Sequence, residues 1–425
     1  MGEQAITTAD LAGWVDALLT LAEDATDAER IDRIRLMEDV KGALCAAQAR
    51  EAVALKRSVV DAEAARGVPA AKRGRGVAAQ VALARRESPH RGDRLMGLAE
   101  ALVGELPHTM AALARGRISE WRATLVCRET ACLTRDERRE VDRRMAPDLE
   151  SMSDRQVAAT ARRIGYTLDP RSIVNRAARA EQDRRVSIRP APDTMAIVSA
   201  VLPVAEGVAV YAALTKAADT ARADGDGRGR GQVMADTLVA RVTGREAGQT
   251  PVEIQLVMSD TTLLHGGTAP ADIVGYGPLP EPVVRSVLAR LNPETEIWLR
   301  RLYADPDTGE LVAMESKRRL FPEPLRRFLL VRDQLCRTPW CGAPVRHADH
   351  VVPRQRGGPT SVDNGQGLCE RCNQIKESAG WRAGTQPDGT VVTTTPTGHS
   401  YASTVPRLLD FVSRLRIEIP RHDAA

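Results

Sequence analysis

The sequence predicts an α+β protein: a large, mostly helical N-terminal domain followed by a small module of two strands and a helix stapled by zinc. Three observations carry this prediction. Apolar residues recur at helical spacing through residues 8–60 and 93–165. The texture changes after Pro170 to short alternating, strand-like runs. Four of the seven cysteines fall within residues 336–372, in a segment rich in Gly, Asp, His and Asn.

Residues 1–30 read as a helical lead-in and 31–300 as a mostly helical domain with a few strands. In the segment "ERIDRIRLMEDVKGALCAAQAREAV", Ile31, Ile34, Met37, Val40 and Leu44 return every three or four residues, as one face of a helix requires. "AARGVPAAKRGRG" (64–76) reads as a basic loop punctuated by Gly and Pro. Thr134 with Glu137, and Ser153 with Gln156, have the spacing of capping boxes that start two helices. "RRVSIRPAPDTMAIVSAVLP" reads as two strands around a turn, and "VEIQLVMS" (252–259) as a further strand. "ADGDGRGRG" (223–231) reads as a solvated tip, because Asp224 and Asp226 interleave its arginines. The compact module is placed at 316–382. A C-terminal region, 383–425, follows as a hairpin at 387–401 and an amphipathic helix near 406–416.

Composition narrows the class. Aromatic residues are only 3% of the chain, so the large domain is expected to pack Ala, Leu and Val. No apolar run reaches the length of a membrane span. The acidic start "MGEQAITTADLAGWVDALLTLAED" lacks the basic region of a signal peptide. A cytoplasmic protein is the expectation, with no membrane partner, and clustered cysteines there favour metal over disulfides. Residues 316–382 hold 13 Lys/Arg and 6 Asp/Glu, a net of +7 in a chain whose total is +4. The positive excess therefore surrounds the cysteines, where a polyanion such as DNA would dock.

Cys336 and Cys341 form one pair and Cys369 and Cys372 another, each at the spacing by which a knuckle offers two thiolates to one tetrahedral Zn2+. Such a site supplies folding energy to a module too small for a large core. Cys45, Cys127 and Cys132 sit on helical patterns without a partner pair. Zinc does not account for Asp349, His350 and Asn373. Asp349 at a strand end and Asn373 near a helix start offer oxygen ligands to a hard divalent ion, Mg2+ or Mn2+. His350 can take a proton from attacking water, since imidazole titrates near neutrality. Adjacent strand residues face opposite sides, so an Asp-His pair serves both flanks of a phosphodiester.

These residues resemble the HNH endonuclease family, the ββα-metal nucleases, in its four-cysteine zinc subclass. The pattern stands here as "DHVVP" (349–353), "GG" (357–358), Asn364 and "CERCNQIK" (369–376). The resemblance implies that His350 is the general base, that Asp349 and Asn373 hold the catalytic ion, and that Asn364 fixes the loop orienting His350. Asn373 stands where the family more usually has His. "LRRFLLVRDQLCRTPWC", "YADPDTGELV" and "PTGHSY" resemble the 13E12-repeat group, in which an uncharacterised helical domain precedes an HNH module.

Arg354, Arg356, Arg371 and Lys376 each admit two readings, phosphate contact or a solvated face. Trp340 is expected to pack beside the zinc, and Trp381 to anchor the hairpin to the last helix. The function implied is metal-dependent hydrolysis of DNA. Two alternatives stay open: a non-catalytic zinc-stapled DNA-binding protein, and a protein-interaction role carried by the N-terminal domain. The sequence leaves the oligomeric state open.

Overall fold

A computed structural model describes residues 6–193, 195–244, 256–257, 270–273, 277–289 and 321–405. The C-terminal helix expected near 406–416, the segment 316–320 and "YADPDTGELV" lie outside the described residues. The fold is α+β, with a large helical N-terminal region and small sheets toward the C-terminus. Two compact units share the chain: residues 1–58 with 96–173, and residues 59–95 with 174–425.

The first unit contains α1 (Thr8–Leu19), most of α2 (Asp27–Ala65) and the helices within residues 96–173. α3 (Val77–Ala84) belongs to the second unit, and α4 (Pro89–Gly104) begins there. α5 (Pro107–Ala114), α6 (Glu120–Thr130), α7 (Arg135–Met145) and α8 (Asp154–Leu168) pack on one another, and α9 (Pro170–Ala180) follows. Leu102, Leu106, Leu113, Val126, Val141, Met145 and Val157 fill the interior, a core of small and aliphatic side chains. Both capping boxes form: Glu137 accepts from the Thr134 amide and Gln156 from the Ser153 amide, each at 2.8 Å. They satisfy N–H groups that a helix start otherwise leaves without partners. The buried Asp142 of α7 caps α5 from outside, accepting from the amides of His108 (2.6 Å) and Thr109 (2.9 Å).

α2 differs from its sequence reading in which face it buries. Ile31, Ile34, Val40 and Leu44 are exposed or nearly so, while Gly42, Ala46, Ala49, Ala52 and Val53 are buried. The reason is close approach. A Cβ on Gly42 would meet Gly116 Cα at 2.9 Å and Ile118 O at 3.1 Å, so the helix touches its neighbours where its side chains are smallest.

In the second unit, β1 (Arg185–Ala191) and β2 (Met195–Val201) form an antiparallel hairpin, as the alternating pattern suggests. α10 (Val204–Ala223) and α11 (Arg230–Thr243) pack together, and Asp226 in their connection pairs with Arg228 at 2.7 Å. Three short strands, β3 (Leu256–Val257), β4 (Ala271–Ile273) and β5 (Gly277–Leu279), make a small antiparallel sheet; α12 (Glu281–Ala289) follows. The described part of the expected strand 252–259 is therefore β3.

The C-terminal part starts with α13 (Glu323–Asp333) and continues with an antiparallel pair, β6 (His347–His350) and β7 (Gly365–Leu368). α14 (Glu370–Lys376) packs on that pair, and β8 (Arg382–Thr385), β9 (Val391–Thr394) and β10 (Ser400–Ser403) form a meander. β7, "GQGL", is a poor strand by propensity. Its glycines are required by contact: a Cβ on Gly365 would meet Leu329 Cδ1 of α13 at 2.7 Å, and one on Gly367 would meet Val345 Cγ2 at 2.8 Å.

Segment 59–95 is built into this same unit. Ala79 and Leu83 of α3 share a core with Ile375 of α14 and Trp381, and Tyr401 packs against it. Gly76, with φ +85°, allows the start of α3 to approach the Trp381 indole. Trp381 thus ties the last helix both to the meander and to α3.

Candidate metal centre and catalytic site

The backbone around the cysteines is a loop closed on itself. The Cys336 amide donates to Ala343 O at 2.8 Å, and the Arg337 amide donates to Gly367 O at 2.9 Å. This brings Cys336 and Cys341 against Cys369, the residue preceding α14, and Cys372 in its first turn. All four sulfurs lie within 4.8 Å of one another, with Cys341 Sγ 3.7 Å from both Cys369 Sγ and Cys372 Sγ. A zinc–sulfur bond of about 2.3 Å gives a tetrahedron whose edges are about 3.8 Å, whereas a disulfide needs about 2.05 Å. The spacing fits a tetrahedral ion and not a disulfide. Thiols packed together share protons unequally: Cys341 lowers Cys336 below its ordinary value, opposed by Cys369 and reinforced by Cys372. Trp340, at φ +59°, is half exposed and meets Tyr401 edge-on, with ring centroids 5.9 Å apart.

Asp349 and His350 end β6. Asp349 stands opposite Gln366 in the ladder, and the Gln366 amide donates to Asp349 Oδ2 at 3.3 Å. Lys376 Nζ donates to the same oxygen at 2.9 Å. The next strand position, His350, points to the other face. Its Nε2 lies 2.9 Å from Thr360 Oγ1, and its ring packs on Phe321 at a centroid distance of 4.4 Å. Burial pulls the His350 imidazole below its ordinary value, opposed by Asp349 and reinforced by Lys376 and Arg354. The Thr360 hydroxyl can donate to Nε2 or accept from it, and in either case it fixes the orientation of the ring.

Asn364 is buried and does its work on the intervening loop. Its Oδ1 accepts from the Val352 amide at 2.8 Å, and its Nδ2 donates to Val352 O at 3.0 Å and Pro359 O at 2.7 Å. Gly358 sits in the fold of this loop, where a Cβ would come within 1.9 Å of Val352 O. These bonds close residues 352–359 and deliver Thr360 to His350. Asn373 lies half-buried in the first turn of α14, which packs on β6. That helix spans seven residues. Beyond it, Gly380 at φ +83° turns the chain toward β8.

The basic residues separate by environment. Arg354 and Arg356 are exposed on the turn after β6, and Arg354 Nη1 lies 3.5 Å from Thr360 Oγ1. Arg371 pairs with Asp93. Lys376 has only 9% of its side chain exposed and is engaged internally.

Sequence reasoning missed a buried cluster. Arg332, at the end of α13, donates to Val362 O (3.0 Å) and Gly365 O (2.8 Å). Its neighbour Asp333, fully buried, accepts from the Gly367 amide at 2.6 Å. Arg337 donates to Asp333 Oδ1 (3.3 Å) and to Ser403 O (2.7 Å). The cluster joins α13, the cysteine loop, β7 and the meander. It also removes Arg332 and Arg337 from the positive charge available to a polyanion. Charged residues closing the apolar run "FLLVRD" were the available signal. Thr360 carried none, since "GGPTS" reads only as a turn.

The family model for DUF222, a domain of unknown function, matches residues 41–333, and that for HNH endonucleases matches 336–379. The chain is 38% identical over 82 residues to an uncharacterized protein of Mycobacterium tuberculosis (strain H37Rv), Rv3776, covering 19% of this chain and 16% of the relative. A second uncharacterized protein of that organism, Rv2100, is likewise 38% identical over 82 residues, 19% of this chain and 15% of the relative. The chain thus covers 15–16% of the length of these relatives. No solved structure matches. Among the described residues, no helix is long and apolar enough to cross a membrane.

Proposed function

We propose, starting from a chain that belongs to the DUF222 family and carries an HNH endonuclease domain, that it is a metal-dependent endonuclease hydrolysing DNA phosphodiester bonds. The observation that carries this reading is the end of β6, where a carboxylate and an oriented, half-buried imidazole occupy successive positions. Thr360 and Phe321 hold the His350 ring, whose neutral imidazole accepts the proton of an attacking water. Asn364 secures the loop that places Thr360. Asp349 and Asn373 supply oxygen ligands for Mg2+ or Mn2+, which when bound stabilises charge on the leaving oxygen. Cys336, Cys341, Cys369 and Cys372 hold a structural Zn2+ that pins the cysteine loop to α14. Arg354 and Arg356, exposed on the turn after β6, contact the DNA backbone in this reading. Arg371 and Lys376, already paired within the protein, are weaker candidates for that role. The proposed nuclease works in the cytoplasm.

The test is nicking of supercoiled plasmid with Mg2+ or Mn2+. His350→Ala is expected to reduce the rate by about 10²–10⁴, the usual worth of a positioned general base, with zinc retained. Asp349→Ala is expected to lose both cleavage and divalent-ion binding. Cleavage by His350→Ala at the wild-type rate refutes the assignment and favours the non-catalytic zinc-stapled DNA-binding protein.

A further inference from the structure

Lys376 is the only Lys or Arg side chain that reaches the Asp349 carboxylate among the ion pairs of the described residues. Its three N–H donors are all used: Asp349 Oδ2 at 2.9 Å, Glu377 Oε1 at 2.9 Å and the His350 carbonyl at 2.8 Å. The ammonium is therefore saturated, nearly buried and fixed by both α14 and β6. It cannot swing out to a phosphate without abandoning three acceptors.

The consequence falls on Asp349. Its Oδ2 is taken by Lys376 and by Gln366, whereas Oδ1 receives no hydrogen bond among the described residues. The carboxylate can then offer an ion one oxygen and not two. A one-oxygen carboxylate suits a small octahedral ion that keeps its waters, and disfavours the bidentate grip typical of larger Ca2+. The charge balance points the same way. Asp349 and Lys376 neutralise each other, Gln366 and Asn373 are uncharged, and Glu377 is largely exposed. A divalent ion arriving alone meets little net negative charge.

We propose, building on the nuclease reading above, that Lys376 is a resident counter-ion of Asp349. It presents a single carboxylate oxygen to the divalent ion and keeps ion affinity low until a nucleic-acid phosphate adds its own negative charge and oxygen ligands. Metal and nucleic acid then bind as a coupled pair, each tightening the other by the same factor.

The experiment measures Mn2+ affinity by calorimetry on the full-length, zinc-loaded chain, with and without a DNA duplex. The duplex titrations use the His350→Ala background, which leaves the DNA uncut. Lys376→Met removes the charge. Lys376→Gln removes it while keeping an N–H donor for Asp349, and so serves where the Met variant does not fold. Both are expected to bind Mn2+ about tenfold or more tightly without DNA, since one charge at contact distance shifts even proton affinity by about 1–3 decades. The factor by which DNA tightens Mn2+ is expected to shrink accordingly, while Lys376→Arg stays near the wild type. A neutral variant that retains zinc and binds Mn2+ no tighter, or more weakly, overturns the counter-ion role and leaves the nuclease reading standing. Absence of Mn2+ binding in every form, with DNA present, overturns both.

Discussion

Asn364→Asp tests whether the buried amide organises the loop of residues 352–360. The substitution keeps shape and volume and replaces one NH2 group with oxygen. In the wild type that NH2 donates to Val352 O and Pro359 O at 3.0 and 2.7 Å. The variant loses two hydrogen bonds, each worth about 1 kcal/mol net, and sets a carboxylate against two carbonyls that lose their donor. A stranded buried acceptor costs about 1–3 kcal/mol, so the local loss is roughly 3–5 kcal/mol. The bond from the Val352 amide to Oδ1 survives, so the damage concentrates on residues 352–360. Hydrogen exchange is the assay. Amides of this loop are expected to lose protection while those of β9 keep theirs, zinc stays bound, and plasmid nicking falls because Thr360 no longer holds His350. Lowering the pH protonates the new carboxyl and returns one O–H donor, so the deficit narrows in acid. Unchanged protection of the loop, or unfolding free energy within about 0.5 kcal/mol of wild type, refutes this account of Asn364.

Elemental analysis is expected to find about one zinc per chain bound by the four clustered thiols, and Cys369→Ser is expected to lower zinc occupancy while α5–α8 stay folded. Leu83→Ala, in α3, removes a buried side chain that packs with Ile375 and Trp381. It is expected to cost about 2–5 kcal/mol and to loosen the second unit, read as faster exchange in α14. Unchanged exchange there would separate α3 from the unit. Arg337→Met removes one of the two arginines on Asp333, which keeps Arg332, and leaves Ser403 O and Gly389 O without that donor. Each stranded carbonyl costs about 1–3 kcal/mol, visible as a lowered thermal midpoint, and a midpoint equal to wild type would remove the cluster's proposed role.

What the sequence determined by itself was local or linear in the chain. Thr134 with Glu137 and Ser153 with Gln156 announce helix starts because a capping box closes within four residues. The β1–β2 hairpin is legible because its alternation and turn are contiguous. The two cysteine pairs and the Asp349–His350 step are legible because the spacing of metal ligands is a property of the chain. Tertiary structure decided the rest. Ile31 and Ile34 look like a core face, yet α2 buries Gly42 and its alanines, because the approach of Gly116 selects small residues and periodicity does not register distance. Lys376 reads in sequence as a helix-end lysine for phosphate contact or a solvated face. Only the pairing of β6 with β7, and the packing of α14 across them, puts its ammonium on Asp349 and gives a surface-type residue an internal role. Arg332, Asp333 and Arg337 likewise count as ordinary charges until the fold carries them away from water, where each must find its partner inside the protein.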